Sequence, residues 1–326
     1  MLKAELFDKR IAFITGKGGV GKTTVAAALA FAAAARGRKV CLVEVGPSPN
    51  LRYIFGKEIP LYRETPVGMG VTVLTLEPYK ALEEYAGLQL RIPGAARMIL
   101  NNRVIQYFMQ AAPGWRELIT VGKIWDMQET ESGRKKPHYD MLVVDAPATG
   151  HGLSFLRVPA VFMNIIKFGR MQGQTFDVLA MLQDPVRTAV HVVTLPEEMP
   201  VNEAVYLRKT AENVLGMHFG ATFVNGVYPP FCEDGEEESL CQRLKNDAGA
   251  LETLNRSFPD QGKALWQAAE SRRVRAALSD QYLAMVREKV GEPVIPIPHF
   301  YPGRVDADGI RDMADIIGRA VEEDAS

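Results

Sequence analysis

The chain has 326 residues, 47% hydrophobic and 24% charged, with a net charge of −1, enough to bury a large α/β core and with no global pull toward nucleic acid or an anionic membrane. Its longest apolar run, Val25 to Ala35, stops at Arg36, short of the roughly 20 residues that span a bilayer; Met1–Glu5 carries no signal-peptide pattern. Three cysteines, Cys41, Cys232 and Cys241, with no C-x-x-C, argue against a disulfide framework and leave one chain unable to build a four-cysteine zinc site, so a cytoplasmic location and no nucleic-acid partner are expected.

Ile11-Ala12-Phe13-Ile14-Thr15 is a short apolar, β-branched run and reads as a strand. Gly16-Lys17-Gly18-Gly19-Val20-Gly21-Lys22-Thr23-Thr24 follows, and the Ala-rich stretch from Val25 to Ala35 reads as helix. A phosphate-binding loop needs that order, because glycines let backbone N–H groups converge on an anion at a helix N-terminus. The loop from Gly18 through Gly19, Val20 and Gly21 to Thr24 is expected to cradle the phosphates of ATP. Lys22 then reaches the β and γ phosphates, and Thr23 places its hydroxyl on Mg²⁺.

Lys39 to Val45 is the next strand and turns at Gly46-Pro47, with alternation setting Glu44 and Gly46 on one face. Val71 to Leu76 is a third strand. From Pro78 to about residue 131 the pattern is helical, broken at Pro93-Gly94 and Pro113-Gly114, and too long for a simple crossover. Met141 to Asp145 is an apolar strand ending in a carboxylate, the arrangement that holds an acid near Mg²⁺. A second helical insertion, about 160–184, carries Met163, Met171 and Met181, which suit core filling or an adaptable groove. Strands resume at Ala189 to Leu195 and Ala221 to Asn225, and the last runs from Pro293 to Ile297. A third helical insertion, about 230–290, opens with the acidic run Glu233 to Glu238. The stretch from Ile310 to Val321 is amphipathic and acidic overall. These elements predict an α/β fold in one domain over residues 1–326: a mostly parallel P-loop NTPase sheet flanked by helices, with an inserted helical lobe.

With Lys17 in place, the loop resembles the deviant Walker A loop of the family that includes MinD, ParA, the nitrogenase iron protein and the ArsA-type ATPases. Asp145-Ala146-Pro147-Ala148-Thr149-Gly150-His151-Gly152-Leu153, then Leu156-Arg157-Val158-Pro159, resembles the switch II segment D-T-A-P-T-G-H-T-L of the ArsA family. Ala112 to Leu118 and Thr194 to Glu198 are also similar to that family. The resemblance implies a Mg²⁺-dependent ATPase in which the lysine at Lys17 reaches the partner's nucleotide. It further implies a homodimer, or a heterodimer with a related ATPase, whose nucleotide state drives an unknown protein cargo or membrane partner. Asn225 would read the adenine, and a loop after the last strand, Ile297-Pro298-His299, would pack it. His151 either senses the γ-phosphate or is a solvated loop residue.

One departure stands out. The ArsA-type D-P-A-H segment aligns its aspartate with Gly46, and of the two acids spaced D-x-D in MinD-type proteins only the first remains, as Glu44. Slow hydrolysis that relies on Glu44 or Asp145 is expected. A regulatory module with little hydrolysis is the alternative. A MinD-like or ParA-like positioning role fits less well, given the helical lobe and the acidic C-terminal stretch, and an iron-protein role lacks interface cysteines.

Overall fold

The computed structural model describes residues 4–46, 50–90, 100, 103, 114–129, 138–146, 153–165, 169–230, 248–258, 261–300 and 306–322. Eight strands form one sheet: β1 (Ile11–Thr15), β2 (Val40–Val45), β3 (Thr65–Gly68), β4 (Val71–Leu76), β5 (Met141–Asp145), β6 (Thr188–Thr194), β7 (Phe219–Val227) and β8 (Val294–Pro298). Their spatial order is β3-β4-β2-β5-β1-β6-β7-β8, and every pairing is parallel except β3 with β4. The central strands are buried on both faces, so they read as mostly apolar runs rather than alternating ones, interrupted by Glu44 in β2 and His191 in β6.

Helices cover both faces. On one side lie α1 (Lys22–Ala35), α2 (Asn50–Phe55) and α10 (Ala307–Glu322), packed on Ala12, Ile14, Val40, Leu42, Met141 and Val143. α1 is sandwiched between the sheet and α10, which explains its Ala-rich, all-round burial: small side chains let three layers approach. Asp306 caps α10 by accepting from the Gly309 N–H at 3.0 Å, and Arg36 at the end of α1 donates to the Gly318 carbonyl at 3.0 Å.

The other side carries α4 (Trp115–Gln128), α5 (Ser154–Ile165), α6 (Arg170–Gln183), α7 (Glu198–Lys209) and the long α9 (Gly262–Lys289). α3 (Pro78–Leu90) joins α4 through Lys123, whose Nζ donates to Glu84 at 2.9 Å and Asp126 at 3.0 Å. α8 (Ala248–Ser257) precedes α9 and packs against it. No helix among the described residues is long and apolar enough to cross a membrane.

Several expectations shift by a few residues, and three change in kind. β3 is an additional edge strand, joined to β4 by a tight turn in which Met69 and Gly70 have φ of 50° and 80°. The second helical insertion is two helices, and α5 begins at Ser154 and runs through Pro159. Met181 is buried and Met171 exposed, so core filling accounts for only part of the methionine pattern. Finally, Pro298 is the last residue of β8, in register with Val227, rather than part of a loop beyond the strand. Pro93-Gly94, His151, Cys232, Cys241 and the run Glu233 to Glu238 lie outside the described residues.

Candidate functional site

β1 delivers the chain to the carboxyl edge of the sheet, and the loop there is shaped by its glycines. Gly16 has φ of 149°, and a Cβ on it would run into the Val193 carbonyl of β6. Gly21, the N-cap of α1, has φ of 90°, and its Cβ would strike the Asn225 amide of β7. Gly19, with φ of 84°, faces open space, so conformation alone calls for glycine there. The loop therefore leans over the end of β6 toward β7. Lys17, Gly18 and Gly19 are exposed on its rim, while Val20 is buried beneath it.

The two loop lysines differ sharply. Lys22, the first residue of α1, is buried, and its Nζ donates to the Lys17 carbonyl at 3.0 Å, folded back over the loop. Burial lowers its pKa, and the nearby Asp145 carboxylate opposes that shift. Lys17 itself is exposed to solvent. Thr23 and Thr24 are half-buried in the first turn of α1.

Asp145 closes the site from below. It ends β5 next to β1, with its Cα paired to that of Ile14, and Thr23 Oγ1 donates to its Oδ2 at 2.6 Å. Its other oxygen, Oδ1, is buried without a hydrogen-bond partner among the described residues. Desolvation raises the Asp145 pKa to about 6, against the Thr23 hydrogen bond and the Lys22 ammonium, which both lower it. A buried carboxylate oxygen lacking a partner, beside a threonine hydroxyl, is the hard-oxygen chemistry that Mg²⁺ takes, and these residues fit that ion.

Glu44 stands beside Asp145, its Cα paired to Asp145 on one side and to Thr75 on the other. Alternation from Leu42 and Val143 puts both carboxylates on the α1 face. Yet Glu44 is held toward β4, where Thr75 Oγ1 donates to its Oε2 at 2.7 Å. Gly46 lies beyond the strand. β2 ends at Val45, and Gly46 has φ of 87°, so the strand alternation that linked it to Glu44 no longer applies.

Asn225 does join the loop, though by a contact to its backbone: Nδ2 donates to the Val20 carbonyl at 2.9 Å. Pro298 sits on the far side of β7, at the end of β8, away from β1 in the strand order. Next to it is His299, expected in the base-packing loop, in a cluster whose other members, Tyr228 and Arg275, the motifs did not announce. His299 stacks on Tyr228 with ring centroids 4.5 Å apart and planes at 15°, and Arg275 of α9 donates to the Tyr228 hydroxyl at 2.9 Å. Thr75 was also missed, although a threonine on a buried strand face is the signal that could have marked it.

A family model described as anion-transporting ATPase, ArsA type, matches residues 9–181, which span the loop, β2, Asp145 and most of α6. The ATPase BagA of Mycobacterium tuberculosis is 34% identical over 237 residues, covering 71% of this chain and 68% of that protein. An arsenical pump-driving ATPase of Acidiphilium multivorum is 28% identical over 248 residues, covering 76% of this chain and 39% of its own length. One from Escherichia coli is 29% identical over 245 residues, 74% of this chain and 39% of that protein. The strand, glycine loop and helix that begin this fold, with an aspartate beneath them, lie inside the matched stretch, and the chain belongs to the ArsA family and is an ATPase of that type.

Proposed function

We propose that the chain is a Mg²⁺-dependent, nucleotide-gated dimer in the cytoplasm, with ATP enclosed between two loops and each loop's Lys17 reaching the nucleotide held by the other. The supporting observation is the division of labour between the loop lysines: Lys22 is buried within its own site, whereas Lys17 lies exposed on the rim. A second chain facing this rim would bring its Lys17 to the phosphates, adding a positive charge where negative charge builds up during transfer. Thr23 and Asp145 would hold Mg²⁺, which neutralises charge on the phosphates. Opening and closing of the dimer would then work on a protein cargo or a membrane partner. The partner chain is a second copy or a related ATPase.

A weakly hydrolysing regulatory version of the same dimer is favoured by Gly46, which stands where the resemblance to ArsA-type proteins implies a water-orienting aspartate. Glu44 is the carboxylate left to orient water, with one oxygen accepting from Thr75 and the other able to accept from water. Sedimentation with Mg²⁺ and a non-hydrolysable ATP analogue tests the dimer. The expected result is a nucleotide-dependent dimer that Lys17→Ala weakens more than it weakens nucleotide binding. A monomer under all conditions, alone and mixed with related ATPases from its source, would remove the reading.

A further inference from the structure

We infer that Asn225 is a positioning residue for the phosphate loop itself, so that its loss weakens the grip on phosphate even when no base is present. The inference rests on the nucleotide-site reading above and adds a job to a residue expected only to read the base. Three observations carry it. First, the Val20 carbonyl belongs to a residue only 1% exposed, in a stretch between strand and helix, and Asn225 Nδ2 supplies a hydrogen bond to it at 2.9 Å. A buried carbonyl needs such a donor. Second, the same amide lies against the Cα of Gly21, so tightly that a Cβ there could not fit. Asn225 thus touches both residues that set the direction of the α1 N-terminus, whose N–H groups face the anion.

Third, β7 is irregular where it carries this side chain. Its pairing with β8 shifts register between Asn225 and Val227, and Gly226 in between has φ of 75°. A bulge of that kind re-aims the neighbouring side chain. The loop is therefore pinned at two places along the carboxyl edge: Gly16 pressed on β6 at Val193, and Val20 and Gly21 held from β7 by Asn225. Asn225 has a second amide hydrogen and its carbonyl oxygen left for an adenine edge, so both jobs fit one side chain. In that arrangement base binding and loop geometry are coupled, because whatever draws the amide toward the base pulls on Val20.

Inorganic tripolyphosphate carries the phosphates of ATP and no base, which separates the two jobs. Its Mg²⁺ complex and Mg-ATP are titrated calorimetrically into wild type, Asn225→Ala and Asn225→Asp. The aspartate keeps the shape and sets an acceptor against the Val20 carbonyl. The expected result is a fall of about five- to tenfold in tripolyphosphate affinity for Asn225→Ala, the effect of one lost hydrogen bond, and a larger fall for Asn225→Asp, whose carboxylate also repels the phosphates. Melting curves establish that each variant is folded at the titration temperature. A role in stability alone would lower the melting temperature, leave the affinity of folded molecules unchanged and so overturn the inference. Unaltered tripolyphosphate affinity with weakened ATP binding would overturn it too and leave Asn225 as a base reader. Wild-type protein that takes up neither ligand would overturn the nucleotide-site reading together with it.

Discussion

Replacing Asp145 with asparagine should stabilise the empty protein at neutral pH relative to acid pH and weaken its hold on Mg-ATP, two effects of opposite sign from one atom pair. The carboxylate is 6% exposed, and burial lifts its pKa from an ordinary 3.8 to about 6. At about 1.36 kcal/mol per pH unit, that interval is worth about 3 kcal/mol. The sign follows from proton binding. The folded protein holds this proton more tightly than the unfolded chain, so wild-type stability falls as pH rises from about 4 to about 6 and is level above that. Asparagine has no proton to lose. Its amide nitrogen would sit where Oδ1 now lacks a partner, costing about 1–3 kcal/mol, but that cost is the same at every pH. The measurable quantity is therefore the change in the stability gap, Asp145→Asn variant minus wild type, between pH 4 and pH 8. It is expected at about 2 to 3 kcal/mol in favour of the variant, since the unfolded carboxyl is already partly ionised at the lower pH. Urea unfolding without Mg²⁺ or nucleotide reads it. A gap that does not move with pH would refute the account of a carboxylate strained by burial. Calorimetry on the same variant should show weakened Mg-ATP binding, the trade of stability for function expected where a charge is buried to await an ion.

Lys22→Ala should lower Mg-ATP affinity at least about tenfold, since charge-assisted hydrogen bonds to phosphate are worth about 1.5–3 kcal/mol each; unchanged affinity would mean the loop is not the site. Glu44→Gln should cut single-turnover hydrolysis more than about tenfold while leaving ATP binding intact. Unaltered turnover in that variant would move the water-orienting role to Asp145 or to the partner chain. Gly46→Asp should not restore turnover, because φ of 87° strains a side chain there and the strand has already ended; a clear rate increase would show that the β2 end rearranges around nucleotide. Its expected cost in stability is about 1 kcal/mol.

The parts of the fold legible in the sequence were those whose physics is local. Ile11–Thr15, Val71–Leu76 and Met141–Asp145 match their strands to the residue, because largely buried strands are short runs rich in apolar and β-branched residues bounded by polar or glycine punctuation. β3 escaped because Thr65-Pro66-Val67-Gly68 is short and contains proline, which only an edge strand tolerates. α5 escaped at its start because Pro159 reads as a helix break. There, burial of Leu153, Phe155 and Leu156 in the core outweighs the lost backbone hydrogen bond.

The site divides along the same line. Gly16 through Thr24 is contiguous, so its chemistry could be read from spacing alone. The contacts that tune it join residues far apart in the chain: Thr23 to Asp145, Asn225 to Val20, Thr75 to Glu44. Strand order decides these, and no local pattern encodes it. β4, β2 and β5 are consecutive in the sheet, which lines up Thr75, Glu44 and Asp145 in one row on the α1 face. In that row the two carboxylates are differently committed. Asp145 is tied to Thr23, in the first turn after the glycine loop, so its environment would change on binding of phosphate and cation there. Glu44 is tied to Thr75, a residue of the sheet, and nothing in the loop needs to move for that bond to persist. Hydrolysis through Glu44 would leave that bond in place, since Thr75 engages one carboxylate oxygen and the other can accept from water, so the sheet would hold this carboxylate in a fixed orientation while nucleotide and cation come and go.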